Sequence, residues 1–259
     1  MVALVDQIVS LAGLAGAGVL NHYGPGVAVQ LKEDRSPLTQ ADLASHACIV
    51  SGLADIDPDT PVISEEGDLP SIEERRSWRR FWLVDPLDGT KEFIRGNGEF
   101  TVNVALIENG EPILGVVLAP ALELCFWATA GGGSWRRRGN GEPEPVAVSG
   151  RTATEPLVVA ESRSHPSAAL EAYLDGLTVA RRVQAGSSLK FCWVADGTAD
   201  VYPRLGPTME WDVAAGHCIA AEAGACVVGL SYNGPTLTNG PFVVGPEGLP
   251  DPVAAGQRA

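Results

Sequence analysis

Lysine is scarce in this sequence, and the shortage shapes the charge of the whole chain. Only three of the 259 residues are lysines, and the 18 basic residues are outnumbered by 32 acidic ones, which gives a formal net charge of −14. A general nucleic-acid binder needs a cationic face for its phosphate contacts, so we expect no nucleic-acid partner. The acidity is compatible with a small anionic ligand that is held through metal ions.

Cysteine and histidine are also few, and neither is spaced as in a disulfide framework or a metal-binding motif. The five cysteines are an odd number without a Cys-X-X-Cys pair, and the four histidines are scattered along the chain. We therefore interpret the cysteines as reduced core thiols in a reducing compartment, and not as a disulfide framework or a zinc site.

Long apolar runs are missing. No uninterrupted run approaches the ~20 residues of a membrane span, and no basic segment precedes the apolar N-terminus as it would in a secretory signal. Leu4, Ile8 and Leu11 recur at helical spacing, which predicts a helix over residues 1–20. We expect a soluble cytoplasmic protein without a transmembrane segment. The sequence leaves open a peripheral attachment to the inner membrane and the choice between monomer and homodimer.

The order in which predicted helices and strands follow one another changes near residue 140. The first half has a second helix over 40–53, strands at 27–31, 60–64 and 81–84, and an antiparallel meander over 100–107, 113–119 and 122–128. The polar segments at 32–37 and 131–145 are predicted loops, and the charged run 67–80 is a predicted solvated helix or loop.

The second half alternates strands with helices. Strands are predicted at 157–160, 179–183, 201–202, 226–228 and 242–244, and helices at 167–174, 188–195 and 212–223. This pattern favours an N-terminal α+β lobe over 1–140 and a C-terminal α/β lobe over 141–259, whose tail from Gly248 carries no motif.

Three acidic clusters stand where an apolar strand ends or a helix begins. They are Ile63-Ser64-Glu65-Glu66, Asp85-Pro86-Leu87-Asp88-Gly89-Thr90 and Glu210-Trp211-Asp212-Val213-Ala214-Ala215-Gly216. A carboxylate at a strand end points into the crevice beyond the sheet, where ligands of α/β folds bind. Taken alone, Asp212 is typical of a helix N-cap.

The middle cluster has the donors of a magnesium site. Pro86 fixes its backbone and predicts a sharp turn after Asp85, which brings the Asp85 and Asp88 carboxylates to one side and exposes the Leu87 carbonyl. Two carboxylates and a carbonyl form a hard-oxygen set that suits Mg²⁺ better than Zn²⁺. An ordinary Asp-Gly turn with a capping threonine is the alternative.

The three clusters, in this order, resemble the inositol monophosphatase superfamily of Mg²⁺-dependent, lithium-sensitive phosphatases. The likeness covers nearly the whole chain, from Thr39-Gln40-Ala41-Asp42 to the final strand. Four further segments are similar to its bacterial 3′(2′),5′-bisphosphate nucleotidase branch: Thr90-Lys91-Glu92-Phe93-Ile94, Ser162-Arg163-Ser164-His165, Gly186-Ser187-Ser188-Leu189-Lys190-Phe191 and Tyr202-Pro203-Arg204-Leu205-Gly206-Pro207-Thr208.

The resemblance implies a layered αβαβα sandwich of the sugar-phosphatase type with two lobes. It also implies a role in sulfur assimilation, with adenosine 3′,5′-bisphosphate (PAP) as the substrate that is cleaved to AMP and phosphate. The implied metal ligands are Glu65, Asp85, Leu87 through its carbonyl, Asp88 and Asp212, for two or three Mg²⁺ ions. The implied water-activating pair is Asp42 and Thr90.

These roles lead to a hypothesis for the mechanism. Two like charges ~4 Å apart repel by about 4 kcal/mol at an effective dielectric of ~20, so divalent ions must neutralise the carboxylates before a phosphate enters. One Mg²⁺ on Glu65, Asp85 and the Leu87 carbonyl would polarise a water that Thr90, oriented by Asp42, helps to deprotonate. A second Mg²⁺, on Asp85, Asp88 and Asp212, would stabilise the leaving 3′-oxygen of an in-line displacement.

The substrate contacts are expected on both sides of the metals. The backbone N–H groups of Gly89 and Thr90 would bind phosphoryl oxygens if they open a helix, and Leu87, Asp88 and Asp212 would touch substrate too. The segment Gly186-Ser187-Ser188 and Lys190 are candidates, against a simple helix cap, and Arg204 is a candidate clamp for the 5′-phosphate, against an ordinary surface arginine. Arg163 and His165 are weaker candidates, because a histidine before proline is typical of a structural loop.

Three other functions compete with this hypothesis. An inositol or fructose phosphatase would have the same metal centre. A haloacid-dehalogenase-type phosphatase has one residue between its two aspartates, whereas here two residues separate them. An acidic Ca²⁺-binding module is a non-enzyme alternative, but the spacing does not fit a twelve-residue EF-hand loop. Acceptance of the sulfated nucleotide stays open.

Overall fold

The computed structural model describes residues 1–24, 29–31, 37–163 and 168–253. His165, most of the predicted loop at 32–37 and the end of the tail lie outside the described residues. The helices are α1 (Val2–Leu20), α2 (Gln40–Ile56), α3 (Ile72–Arg75), α4 (Thr90–Arg95), α5 (Ala168–Leu174), α6 (Leu189–Ala195) and α7 (Glu210–Glu222).

The strands are short apart from those of the central sheet. They are β1 (Val29–Leu31), β2 (Pro37–Thr39), β3 (Val62–Ser64), β4 (Arg80–Asp88), β5 (Thr101–Glu108), β6 (Glu111–Ala119), β7 (Leu124–Thr129), β8 (Gly133–Arg138), β9 (Glu144–Val146), β10 (Leu157–Ser162), β11 (Val179–Ala185), β12 (Tyr202–Arg204), β13 (Thr208–Met209), β14 (Cys226–Val228), β15 (Thr238–Asn239) and β16 (Phe242–Gly245).

The central sheet has seven strands in the order β3-β4-β5-β6-β7-β8-β9. Only the β3–β4 pair is parallel, and the other neighbours are antiparallel. The predicted meander is therefore confirmed. Its first turn holds Asn109 at φ 52° and Gly110 at φ 84°, and two successive positive φ angles are what a tight hairpin turn requires.

Each face of this sheet is covered by helices. Successive side chains of β4 point to opposite faces of the sheet, and Trp82 and Val84 lie in one apolar cluster with Ile8 of α1 and Leu53 of α2. Phe81 and Leu83 belong to a second cluster on the opposite face, where α6 and α7 pack. Both faces are apolar because both are buried, so β4 is a nearly continuous apolar run.

A second sheet completes the layers. β10 pairs in parallel with β11, β12-β16-β14 form an antiparallel group, and a bridge between Val159 and Val201 joins the two. Ala160 and Val244 face the α6–α7 layer, whereas Val159 and Val243 pack with Leu170 of α5. The order is helix, sheet, helix, sheet, helix, which confirms the expected αβαβα sandwich.

The segment 131–145 is not a loop, and that prediction is wrong. β8 and β9 continue the central sheet through it, with Trp135 opposite Trp127. Its arginines obscured the strand in the sequence, but Arg136 is paired with Glu144 at 2.6 Å and with Asp196 at 2.5 Å. The division into lobes at residue 140 stays a prediction.

The charged run 67–80 is also only partly solvated. Arg75 in α3 is 3% exposed, and its guanidinium donates to Asn233 Oδ1, Gly234 O and Pro235 O at 2.7–2.8 Å. The prediction of a solvated segment is therefore wrong at Arg75, because a distant loop supplies the acceptors that the local sequence lacks.

The N-terminal helix follows the prediction. α1 is long and apolar enough to cross a membrane, but core helices pass the same test, and Ile8, Ala12 and Val19 are fully buried against the sheet. All five cysteines are described and none forms a disulfide; three are buried and two are half-buried.

Candidate active site

Three carboxylates from three elements meet at one point. Glu65 follows β3, Asp85 lies in β4 and Asp212 lies in the first turn of α7, and each offers an oxygen within 4.8 Å of the other two. β3 and β4 are parallel neighbours, and the Glu65 N–H donates to Val84 O at 3.1 Å. α7 packs across the same sheet, so the predicted convergence of the acidic clusters is observed.

The backbone around Asp85 differs from the prediction. Instead of turning sharply after Asp85, β4 continues to Asp88 with an irregularity of register between the two aspartates. The Leu87 N–H donates to Asp85 Oδ1 at 3.0 Å, and Ser45 Oγ donates to Pro86 O at 2.7 Å. An irregularity of this kind can change the direction of the side chains, which is the effect that the predicted turn would have had.

Two of the site aspartates occupy the same position in their helices. Asp42 is the third residue of α2 and accepts the backbone N–H of Thr39 at 2.8 Å, and Asp212 accepts that of Met209 at 3.0 Å. Each carboxylate therefore caps its helix with one oxygen and keeps a second oxygen for the site. The geometry is therefore compatible with both roles of Asp212, as the cap of its helix and as a residue of the site.

Thr90 connects Asp42 to the acidic cluster. Its hydroxyl lies 3.4 Å from Asp42 Oδ1 and 3.4 Å from the Leu87 carbonyl, at the first residue of α4. Asp42 is 1% exposed and also accepts the Thr39 hydroxyl. A hydroxyl that donates to a buried carboxylate presents its lone pairs to the cleft.

The carboxylates repel one another without a cation. Burial raises the pKa of Asp85 well above its usual range, and the charges of Glu65, Asp88 and Asp212 raise it further. The pKa of Asp212 is raised by burial and then by Asp88 and Glu65. A cluster of hard oxygen donors that resists ionisation in the absence of a cation fits a Mg²⁺ site.

Asp88 is held by Ser188, which the sequence analysis considered as part of a substrate-binding segment, and by Asn103, to which it gave no role. Its carboxylate lies 3.1 Å from Ser188 Oγ and 3.4 Å from Asn103 Nδ2, and Ser188 Oγ also lies 2.7 Å from Asp212 O. Ser188 thus bridges two elements of the cluster. A polar Asn103 within the apolar strand β5 was the available signal, and Ser188 stood in a quoted motif.

The predicted substrate residues line one cleft with the acidic cluster. Gly186, Ser187, Lys190 and Arg204 share it with Glu65, Asp88, Gly89, Thr90 and Asp212. Asp85 and Leu87 are buried beneath it. Arg163 is not among the described residues that line this cleft, and its guanidinium forms two 2.8 Å hydrogen bonds to Glu99.

The loop at 186–188 packs tightly on the acidic side. Ser187 has a positive φ of 50°, and its hydroxyl contacts Asp88 O at 2.8 Å and Glu99 O at 2.9 Å. A Cβ at Gly89 would lie 2.1 Å from that hydroxyl, and Gly89 itself has a φ of 89°. Glycine is therefore required at position 89 both by its conformation and by this close approach.

Lys190 is buried behind the same loop. Its ammonium donates to Ser187 O at 2.5 Å and lies 5.3 Å above the Tyr202 ring. Burial lowers the pKa of Lys190 to about 8, against the opposing effect of Asp88 and with a further decrease from Arg204. The cleft therefore has an acidic side and a cationic side.

Known proteins of one family share this architecture. Residues 3–258 match the model of the inositol monophosphatase family. The 3′(2′),5′-bisphosphate nucleotidase CysQ of Escherichia coli K12 is 51% identical over 226 residues, covering 86% of this chain and 89% of the relative. That of Haemophilus influenzae is 33% identical, covering 93% and 92%.

Solved structures agree in fold. The crystal structure of CysQ from Bacteroides thetaiotaomicron, described as a bacterial member of the inositol monophosphatase family, superposes with a TM-score of 0.82 at 37% identity and covers 93% of this chain and 97% of its own. The Thermotoga maritima IMPase gives a TM-score of 0.80 at 27% identity, covering 100% and 98%.

Proposed function

The chain belongs to the inositol monophosphatase family, and we propose that it is a metal-dependent 3′(2′),5′-bisphosphate nucleotidase that hydrolyses PAP to AMP and phosphate. Relatives that are about half identical over most of their length carry that name. The observation that carries the proposal is the cleft itself, where oxygens of Glu65, Asp85 and Asp212 lie within 4.8 Å of one another and which Lys190 and Arg204 also line.

The donor set supports two divalent cations. Glu65, Asp85 and the Leu87 carbonyl would hold one, and Asp85, Asp88 and Asp212 would hold another; a third ion has no assigned ligands. When bound, such cations neutralise the cluster, lower the pKa of a water nucleophile and stabilise charge on the leaving oxygen. Family membership supports metal dependence, and the raised pKa of Asp85 supports the need for it.

Asp42 and Thr90 form the proton path in this proposal. Thr90 Oγ1 donates its own proton toward Asp42 Oδ1, so its lone pairs can accept a hydrogen bond from the attacking water. As the water loses its proton to Thr90 Oγ1, the threonine proton passes to Asp42. The Thr39 N–H and the Thr39 hydroxyl both donate to Asp42 Oδ2, and the Ala41 N–H donates to the Thr39 hydroxyl oxygen. Together these bonds fix Asp42 in the orientation that this transfer needs.

The remaining residues hold the phosphoryl group and the nucleoside. The backbone N–H groups of Gly89 and Thr90 lie at the start of α4, where the first N–H groups have no partner within the helix, and would bind phosphoryl oxygens. The 186–188 loop and Lys190 form the neighbouring wall, where the ribose and the remaining phosphate would lie. We propose that the protein acts in the cytoplasm.

A substrate comparison tests the proposal. Initial rates are measured with PAP, inositol 1-phosphate and fructose 1,6-bisphosphate, each with Mg²⁺, with Mg²⁺ plus lithium, and with a chelator. We expect PAP to have the highest kcat/KM, with activity lost in chelator and inhibited by lithium. A higher kcat/KM for inositol 1-phosphate would replace the nucleotidase with the sugar phosphatase alternative. Activity that persists in chelator would refute the metal centre.

A further inference from the structure

An ion pair outside the cleft joins the two sheets of the protein. Arg163 directly follows β10 of the second sheet, and Glu99 precedes β5 of the central sheet by two positions. The Arg163 Nε and Nη2 groups donate to Glu99 Oε2 and Oε1, both at 2.8 Å, and Nη2 also donates to Gln184 O at 2.9 Å. The pair therefore connects the ends of β10 and β11 to the segment before β5.

The same glutamate holds the start of the 186–188 loop. Glu99 Oε2 accepts the Gly186 N–H at 2.9 Å, and the Glu99 backbone carbonyl accepts the Ser187 hydroxyl at 2.9 Å. A Cβ at position 186 would clash with that carbonyl oxygen, so glycine is required for this approach. Hydrogen bonds to a charged acceptor are stronger than those to a neutral one, so the carboxylate is a strong anchor for the loop.

The loop needs such an anchor because its backbone is unfavourable. Ser187 has a φ of 50°, in the left-handed region that a residue with a Cβ rarely adopts. The Lys190 ammonium contacts the carbonyls of Ala185 and Ser187, and Glu99 contacts the loop at Gly186 and Ser187. Without the Glu99 carboxylate, we expect the loop to relax away from this conformation.

The loop in turn holds Asp88, one of the proposed metal ligands. Ser187 Oγ donates to Asp88 O at 2.8 Å. Ser188 Oγ lies 3.1 Å from Asp88 Oδ2 and 2.7 Å from Asp212 O. Groups that orient a metal ligand typically change metal affinity or activity by about 10- to 100-fold when they are removed. Glu99 is thus linked to the acidic cluster through two serines of the loop.

We propose that Glu99 and Arg163 form a positioning pair that holds the 186–188 loop against Asp88 and thereby sets the affinity of the acidic cluster for Mg²⁺. This inference rests on the proposed metal-dependent function. Neither residue is among the described residues that line the cleft, so the pair acts from outside it. Arg163, a weaker candidate for substrate contact in the sequence, is assigned a positioning role instead.

Three variants test the pair against a matched control. Glu99→Ala removes the acceptor of the Gly186 N–H, whereas Glu99→Gln and Arg163→Gln keep an acceptor there and remove only the ion pair. Arg182→Gln is the control, because the Arg182 and Arg163 side chains are 39% and 40% exposed. Arg182 also forms two hydrogen bonds of 2.7 Å to one carboxylate, that of Glu171. Calorimetry measures Mg²⁺ binding to each substrate-free protein, and kinetics with PAP measure the dependence of the rate on Mg²⁺.

We expect the variants to differ in Mg²⁺ affinity more than in maximal rate. Glu99→Ala should raise the Kd for Mg²⁺ about 10-fold, with a parallel rise in the Mg²⁺ concentration that gives half-maximal activity. Arg163→Gln and Glu99→Gln should each raise the Kd by about threefold, because an exposed ion pair contributes little by itself. At saturating Mg²⁺, kcat should stay within about threefold of the wild type, since all the proposed ligands are present. Arg182→Gln should behave as the wild type.

The outcomes separate the two proposals. An unchanged Kd for Mg²⁺ in folded Glu99→Ala, an equal change in Arg182→Gln, or a large loss of kcat that saturating Mg²⁺ does not restore would each refute the positioning pair and leave the nucleotidase function standing. Thermal melting identifies a folding defect, and if Glu99→Ala does not fold, the comparison of Arg163→Gln with Arg182→Gln decides the question. A wild type that binds no Mg²⁺ and cleaves no PAP would refute the proposed function itself.

Discussion

The two sides of the cleft are built in different ways. The acidic side sits on the edge of the central sheet, where Glu65 and Asp85 are fixed by the backbone pairing of β3 with β4. The cationic side lies on the 186–188 loop, the first turn of α6 and the short strand β12, and the loop contacts the acidic side through Ser187 Oγ and Asp88 O. Backbone pairing within the sheet thus positions Glu65 and Asp85, whereas side-chain contacts position the 186–188 loop.

The two sides of the cleft also favour ligands of opposite charge. Burial and mutual repulsion raise the pKa of Asp85 and Asp212, so bound cations would stabilise the charged form of the acidic side. Burial and the nearby Arg204 lower the pKa of Lys190, so the cationic side is completed by an anion. Divalent cations and an anionic substrate would satisfy both demands at once.

The largest expected effect comes from removing one acidic ligand. Asp88→Asn should lower kcat by on the order of 10³-fold or more, because a metal ligand is lost while the side-chain shape is kept. The melting temperature of the metal-free protein should not fall, since asparagine can still accept from Ser188 Oγ and a repelling charge is removed. Asp175→Asn, at an exposed position, is the control. An Asp88→Asn enzyme with most of its activity would contradict the two-metal assignment.

A smaller effect is expected at the proton path on the same side. Thr90→Val should lower kcat about 100-fold with little change in KM, because the hydroxyl that passes the proton to Asp42 is lost. Thr90→Ser keeps that hydroxyl and should retain most of the activity. Steady-state kinetics over a range of pH measure both variants. Equal activity of the valine and serine enzymes would show that the hydroxyl takes no part.

The smallest effect is on stability and concerns the repulsion within the acidic side. Because the pKa values of Asp85 and Asp212 are raised, the folded metal-free protein binds protons that the unfolded chain releases, and this contribution to stability falls as pH rises from about 4 through the raised values. Saturating Mg²⁺ should therefore raise the melting temperature by several degrees more at about pH 7.5 than at about pH 5.

Scanning calorimetry with and without Mg²⁺ at both pH values measures this difference. Glu171→Gln is the control, because its carboxylate is exposed, has a lowered pKa and pairs with Arg182 far from the cleft. That variant should show the same dependence on Mg²⁺ and pH as the wild type. A melting temperature that responds equally to Mg²⁺ at both pH values would argue against the repelling cluster.

Local patterns in the sequence predicted the parts of the fold that local forces determine. The helical spacing of Leu4, Ile8 and Leu11 predicted α1, and the apolar runs around Asn109-Gly110 predicted the β5–β6 hairpin. The predictions failed where distant residues supply the partners. β8 was missed because Glu144 and Asp196 neutralise its arginine, and Arg75 was taken as solvated because its acceptors lie about 160 positions away.

The amino-acid sequence by itself determined the chemistry of this protein, because the acidic motifs and their order carry the ligand types of the family. It did not determine the irregular register of β4 between Asp85 and Asp88, where a turn was predicted, or the bridging position of Ser188. Those were decided by tertiary structure, since the distance between groups far apart in the chain depends on how sheets and helices pack, and no local pattern encodes that distance.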